Sequence, residues 1–386
     1  MTDKKRNLSL YIHIPFCFKK CFYCDFLSAP ADTETKDRYV EVLKQEISIK
    51  SEKYKSFKVD SIFFGGGTPS ILPASQIQEM LQLIKKKFTL TKGVEVSIEV
   101  NPGTVDKDKL IGYRSSGINR LSIGLQSADN RELKVIGRIH TFEDFLQTYE
   151  SARQAGFQNI NIDLMSALPG QTIRSYRETL KKVLSLQPEH ISAYSLIIEE
   201  GTPFYERYGD GASAVERKHC PSIPDEETER AMYELTDHFM QENDYHRYEI
   251  SNYAKEGYEC KHNKGYWERH NYLGLGLGSA SLIHNCRWNN ESRLPIYLEG
   301  IFDKKKEQIL TEEEQMEEFM FLGLRLMKGV SEKKFKKTFG VTLESVYEKQ
   351  IRKLVEGQLL IRAEGNLRLT KKGIDLSNIV MAEFLL

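Results

Sequence analysis

Short runs dense in Leu, Ile, Val and Phe recur six times in the first half of the chain, at residues 8–14, 59–64, 94–100, 118–125, 159–165 and 191–197. Apolar runs of this length, bounded by Gly, Pro, Asn or Ser, predict strands. Between them the period changes. Ile77, Met80, Leu81, Ile84 and Phe88 fall at i, i+3, i+4, i+7 and i+11, which is one face of a helix. Further helices are predicted over 106–114, closed near Gly117, and over 142–155, closed by Gly156. Residues 172–186 fill the next gap and 225–242 follow the sixth run; the polar stretch 208–224 reads as a loop. Strands alternating with helices imply parallel βαβ units. Six of them predict an α/β fold, a partial (β/α)6 barrel.

Beyond about Pro295 the pattern changes, which divides the chain into 1–295 and 296–386. Residues 311–327 form an amphipathic helix whose first turn holds Glu312, Glu313 and Glu314. Two more helices, 331–339 and 343–356, precede a hairpin over 359–369 with Glu364, Gly365 and Asn366 at its turn. Helices followed by a hairpin predict a small winged-helix-like α+β module. Such modules often bind DNA, but the wing carries only Arg362 and Arg368 as cations. Lys+Arg and Asp+Glu balance at 55 each over the 386 residues, so charge argues against a nucleic-acid partner or an anionic lipid surface. Apolar residues make up 40%, enough for a large core, yet no run reaches the roughly 18 apolar residues of a membrane span. The N-terminus, with charges from Asp3 to Arg6 and a run broken by His13 and Pro15, lacks a signal-peptide core. Six cysteines in a chain this long do not read as a secreted disulfide framework. A cytoplasmic protein with a cysteine-held cofactor is the expectation.

Three of the six cysteines, Cys17, Cys21 and Cys24, lie directly after the first predicted strand. The spacing C-x3-C-x2-C offers three thiolates and withholds a fourth. Zinc is one reading, with His13 or a distant cysteine completing the set, but zinc motifs pair two knuckles and no second one is present. A [4Fe–4S] cluster with one open iron fits the spacing better. In (β/α) barrels, sites form at the C-terminal ends of the strands. Gly65, Gly66, Gly67, Thr68 and Pro69 follow strand two, Glu99 closes strand three, and Gln126 closes strand four. Asp163 lies at the end of strand five, and Tyr194 and Ser195 late in strand six. Glycines at 65–67 serve either a tight turn or a backbone exposed to ligand. Glu99, Gln126 and Asp163 together suit a ligand with hydroxyl and ammonium groups, and Arg138 suits its carboxylate.

These features together resemble the radical S-adenosylmethionine superfamily, whose signature is this cysteine spacing with an aromatic residue, here Tyr23, before the last cysteine. The resemblance implies a cluster bound by Cys17, Cys21 and Cys24, with S-adenosylmethionine on the fourth iron. It places Tyr11, Tyr23, Gly66, Gly67, Thr68, Glu99, Gln126, Arg138 and Asp163 against that cofactor, the Gly run near its methionine part and Gln126 and Asp163 near its ribose. Within the superfamily, residues 11–17, 65–69, 122–127 and 161–171 are similar to the branch of oxygen-independent coproporphyrinogen III oxidase and its relatives, over nearly the whole chain. The oxidase continues its motif to a further cysteine two residues on. Here that position is Phe26, and the motif resembles the heme-chaperone subgroup instead. The run His262-Asn263-Lys264-Gly265-Tyr266-Trp267 is similar to that subgroup's H-N-x-x-Y-W pattern. It implies a heme site with His262 as axial ligand and Asn263, Tyr266 and Trp267 around the porphyrin. Cys260 reads as an ordinary cysteine, a thiolate ligand or a covalent heme link being the alternatives. The implied function is heme transfer to acceptor proteins, with an electron donor if the radical chemistry is used. The alternatives are a radical enzyme acting on a tetrapyrrole and a DNA-binding redox regulator.

Overall fold

A computed structural model of the chain describes residues 7–210 and 220–386, so part of the stretch expected as a loop at 208–224 lies outside the described residues. Six strands make the frame: β1 (Asn7–Ile14), β2 (Lys58–Gly66), β3 (Thr89–Val100), β4 (Arg120–Gln126), β5 (Ile160–Ser166) and β6 (His190–Ser195). Each pairs in parallel with the next in chain order, as the alternation predicts. Their register sets Ile12, Phe64, Ile98, Leu121 and Ile160 in one row across five strands. All five are fully buried and belong to one core with the apolar faces of the helices. Each such side chain contributes about 1.5–3 kcal/mol relative to exposure. The alternate positions, Ser9, Ser61, Ser97, Ser122 and Asn161, are polar although also buried. The inner face of the barrel is therefore polar, and this decides where a polar ligand can bind.

The helix Thr33–Tyr54, which no strong period marks, crosses from β1 to β2, and its Asp32 cap accepts from Thr35 N. Its buried stripe is Tyr39, Val40, Leu43 and Ile47 among many charges. The five helices expected from the pattern are present, at Ala74–Lys87, Lys107–Ser116, Phe142–Gln154, Ile173–Ser185 and Glu226–Glu242, and short helices that no period marks add Asn130–Val135, Pro203–Tyr208, Lys261–Trp267 and Leu294–Tyr297. Six further strands extend the sheet on both sides. β7 (His246–Glu249) and β8 (Asn252–Ala254) continue past β6, while β9 (Tyr272–Leu275), β10 (Ala280–Ile283), β11 (Cys286–Asn289) and β12 (Lys305–Ile309) continue past β1. β7 and β12 are the two edges, so the sheet of twelve strands stays open. These added strands hold three to five residues each, too few to show a period in the sequence.

A second core lies in the C-terminal module, formed by Met320, Leu324, Phe335, Tyr347, Leu367 and their neighbours. Helices Glu312–Leu324, Glu332–Phe339 and Leu343–Glu356 pack on a three-stranded sheet of β13 (Val330–Ser331), β14 (Leu360–Ala363) and β15 (Asn366–Leu369). Ala363 pairs with Asn366 across a two-residue turn, where Glu364 and Gly365 have φ of 54° and 74°. Both positive values are what a type I′ hairpin turn requires. Arg362 on the wing is ion-paired to Glu332 and Glu344, which further weakens its use toward phosphate.

Candidate functional site: a cavity beside three thiolates

The cysteine loop is closed at its root by backbone bonds. Cys17 N donates to Ala29 O (3.2 Å), Ala29 N to Pro15 O (3.0 Å) and Thr68 N to Phe16 O (2.8 Å). Gly67 packs so closely there that a Cβ would lie 2.7 Å from Phe16 O and 3.0 Å from Cys17 Sγ. The glycine run thus admits the loop. Gly67→Ala is expected to push Cys17 outward, at a cost of about 1–3 kcal/mol. The measurement is the iron and sulfide content after anaerobic reconstitution together with the thermal midpoint; unchanged values for both would mean the contact is not needed.

Cys17, Cys21 and Cys24 carry free thiols and are partly exposed. Thr68 Oγ1 lies 3.5 Å from Cys17 Sγ, and Arg138 Nη1 lies 3.7 Å from Cys21 Sγ. Burial pushes the Cys24 thiol up, so a metal is needed to hold it as thiolate. Among the described residues no three His, Cys, Asp or Glu side chains converge on one ion-sized point. A single zinc ion requires such convergence, whereas a cluster takes its thiolates on separate irons. His13 is also engaged at both ring nitrogens, by Tyr11 OH (3.0 Å) and Leu27 O (2.9 Å). The donor set fits a cluster better than zinc.

All three cysteines line one cavity of about 140 Å3 at the C-terminal ends of the strands. Its walls include Tyr23, Gly66, Gly67, Thr68, Glu99, Gln126, Arg138 and Asp163, eight of the nine residues expected to surround S-adenosylmethionine. The ninth, Tyr11, stands outside the wall. Its hydroxyl is on His13, and its ring lies 6.4 Å from those of Phe63 and His262. The sequence marked the strand ends but left Asn101 and Ser122 out of the site. Asn101 Nδ2 donates to Thr68 Oγ1 (2.8 Å), and its Oδ1 accepts from Arg138 Nη2 (2.8 Å). Arg138 Nη2 also donates to Gly124 O at 2.6 Å, while its buried Nε has no partner among the described residues. Gln126 sits at φ 73°, in the left-handed region, where β4 shifts register against β5. Such a conformation in a non-glycine residue marks strained, functional backbone.

Two carboxylates face this space. Burial first, then the neighbouring Asp163, pushes Glu99 up to about 8, although Gly66 N donates to it at 3.1 Å. Burial likewise raises Asp163, against hydrogen bonds from Asn161 (2.7 Å) and Ser122 (3.1 Å). Two acids raised by burial, beside a guanidinium Nε–H without a partner among the described residues, suit a ligand carrying both cation and carboxylate.

The segment expected to hold heme lies below this cavity. Residues 262, 263, 266 and 267 are on the helix Lys261–Trp267, which packs against β2 and the C-terminal module. His262 is 1% exposed, with Nδ1 at 2.9 Å from Ser61 Oγ and Nε2 at 3.0 Å from Tyr266 OH. Its ring lies 5.1 Å from Phe63, and burial lowers its pKa to about 3, so the imidazole is neutral. Tyr266 meets Tyr272 edge-on at 4.8 Å, and Trp267 lies under the Arg325 guanidinium at 4.3 Å. Cys260 is buried with Sγ 3.6 Å from Glu95 Oε1, and burial pushes its thiol up to about 12. In this arrangement neither His262 nitrogen is open. The chemistry of the segment suits iron, but its geometry requires Tyr266 or Ser61 to move first.

Comparison with known proteins places these features. Residues 11–183 match the radical SAM superfamily, and residues 310–376 match the HemN C-terminal domain. A heme chaperone HemW of Bacillus subtilis is 37% identical over 98% of this chain and 99% of its own. One from Lactococcus lactis is 36% identical over 98% of this chain and 97% of its own. The chain belongs to the HemW family. The coproporphyrinogen III oxidase HemN of Escherichia coli, a radical SAM enzyme, shares its fold at a TM-score of 0.85, with 24% identity, covering 98% of this chain and 90% of that one. Both HemW relatives match over 98% of this chain, so the barrel, the added strands and the C-terminal module lie within the matched length. No helix among the described residues is long and apolar enough to cross a membrane.

Proposed function

We propose that this chain holds a [4Fe–4S] cluster on Cys17, Cys21 and Cys24, binds S-adenosylmethionine in the adjoining cavity, and carries heme on residues 262–267 for transfer to acceptor proteins in the cytoplasm. The observation that carries the reading is the cavity itself, where three thiolates and eight expected cofactor residues meet and Phe26 stands at the wall in place of a fourth cysteine. Full-length likeness to curated heme chaperones supports the choice between chaperone and oxidase. Arg138 Nε is the donor for the cofactor's carboxylate, Glu99 and Asp163 face its cation and hydroxyls, and Tyr11 supports β1 through His13 from outside the wall. With the cofactor on its open iron the cluster would supply one-electron chemistry. That use requires an electron donor.

Anaerobic reconstitution followed by heme titration tests the reading. One heme per chain, with a Soret band that moves on binding, is the expected result; no binding above a serum-albumin control overturns it. The second reading, a radical enzyme on a tetrapyrrole, is favoured by the complete thiolate and cavity set. Turnover of coproporphyrinogen III by the reconstituted protein would establish it in place of the first.

A pH dependence follows from Glu99. Its folded value, about 8, lies above the ordinary 4.5, so its neutral form favours folding at low pH and this contribution is lost as pH rises through 8. A cationic ligand prefers the ionised form. S-adenosylmethionine affinity is therefore expected to rise by about tenfold per pH unit up to 8, then level off. Isothermal titration from pH 6 to 9 measures it, and Glu99→Gln should give a clearly shallower profile than the wild type; an equally steep one would remove Glu99 from the binding step.

A further inference from the structure

A line of hydrogen bonds runs from the cavity to the helix that carries His262. Asn161 Nδ2 donates to Asp163 Oδ1 (2.7 Å) and to Ser122 Oγ (2.7 Å). Asn161 Oδ1 accepts from His190 Nδ1 (2.6 Å) and from Ser192 Oγ (3.1 Å). His190 Nε2 meets Tyr248 OH at 2.8 Å, and Tyr248 OH accepts from Cys260 N at 3.3 Å. The next two residues are also tied down. Lys261 N and His262 N both donate to Glu95, at 3.1 Å each, and Arg120 Nη1 donates to Tyr258 O at 3.2 Å. Asn161, His190, Tyr248 and Cys260 are all buried, with no water path between them required.

The Asn161 amide fixes the direction of the line. Its Nδ2 donates to Asp163 and Ser122, so its Oδ1 accepts and His190 carries its proton on Nδ1. A neutral His190 then accepts at Nε2, and Tyr248 donates to it while accepting from Cys260 N. A neutral imidazole is the one form that accepts at one nitrogen and donates at the other; burial holds His190 well below its ordinary value, which keeps it so. Every link points its hydrogen toward Asp163, so each polarises the next. None of His190, Tyr248 and Cys260 lines the cavity, and the chemistry of the site has no use for them.

The geometry points to a positioning role: Asn161, His190 and Tyr248 couple occupancy of the cavity at Asp163 to the 258–262 turn that sets His262. A ligand hydroxyl or cation on Asp163 takes part of the charge that Asn161 now satisfies. The amide relaxes, and the change passes through His190 and Tyr248 to the Cys260 amide. By reciprocity, disturbing the His262 turn changes affinity at the cavity by the same factor. This rests on the proposed cofactor reading and assigns its control of the heme segment to three named residues.

Hydrogen exchange of the reconstituted full-length chain, with and without S-adenosylmethionine and without heme, is the test. In the wild type, the ligand is expected to slow exchange at 66–68 in the cavity and, by at least about fivefold, at 260–262. In Tyr248→Phe, which keeps the ring against His190, 66–68 should still be protected while 260–262 no longer responds. A merely structural Tyr248 would give faster exchange at 260–262 with the ligand-dependent ratio unchanged, and that outcome overturns the coupling. Protection at 66–68 without any response at 260–262 in the wild type overturns it as well. No protection at 66–68 would instead remove the cofactor reading and this inference with it. His190→Gln provides the same comparison if Tyr248→Phe does not fold.

Discussion

Replacing any one of Cys17, Cys21 and Cys24 with Ala is expected to lower iron and sulfide after reconstitution from about four each per chain to nearly none. Three thiolates are the minimum that leaves one iron open, so the loss of one leaves two corners of the cluster to solvent. Among the described residues the other cysteines and the nearest histidine are engaged elsewhere, Cys220 with the Tyr208 hydroxyl. Cys260 is buried against Glu95, Cys286 lies on β11 near Glu307, and both His13 nitrogens are engaged. Arg138, which donates toward Cys21, would then face a space without thiolate charge. The fold itself should survive, because the loop is rooted by backbone bonds to Ala29, Pro15 and Thr68 rather than by the thiols. Iron and sulfide counts with a circular-dichroism control measure both parts. A full cluster in any single variant would sink the assignment of ligands.

The second large effect concerns His262. His262→Ala is expected to abolish the specific Soret shift on heme addition. It also strands Ser61 Oγ and Tyr266 OH in a buried space, at about 1–3 kcal/mol of stability. That loss alone would not distinguish ligand from structural support. Tyr266→Phe does. It keeps the aromatic edge against His262 but removes the hydroxyl that occupies Nε2. With the imidazole already neutral, heme no longer has to break that bond, and affinity should rise about two- to tenfold. A weaker or unchanged affinity in Tyr266→Phe would show that iron does not bind at Nε2.

Much of the site was readable because strand ends are readable. Glu99 and Gln126 lie at the ends of β3 and β4, and parallel strands bring such ends to one rim whatever their separation in sequence. Asp163, expected at the end of its strand, is instead the fourth of the seven residues of β5 and faces the cavity from within the strand. The three thiolates needed only local spacing. Tyr11 shows the limit of this reasoning. It lies in the middle of β1, and only the pairing of β1 with β2 turns its ring toward Phe63 and His262 and its hydroxyl toward His13. Asn101 after β3 and Ser122 within β4 carry no signal in the sequence, because one polar residue looks like any other until its partners are known. β7 to β12 carry none because strands of three to five residues have no period.

By itself the sequence determined the periodic frame: six parallel strands, glycine and polar positions near their C-terminal ends, and three cysteines in one local spacing after the first strand. Periods and spacings are local, and local order survives without knowledge of the rest of the chain. Only the tertiary structure decided which polar groups are paired. It closed both nitrogens of His262, left Arg138 Nε without a partner among the described residues, drove Glu99 up to about 8 beside Asp163, and threaded His190 and Tyr248 between the cavity and Cys260. Each of these depends on burial and on contacts between distant strands. Removal from water gives such contacts their energy, and only the folded chain has removed those groups from water.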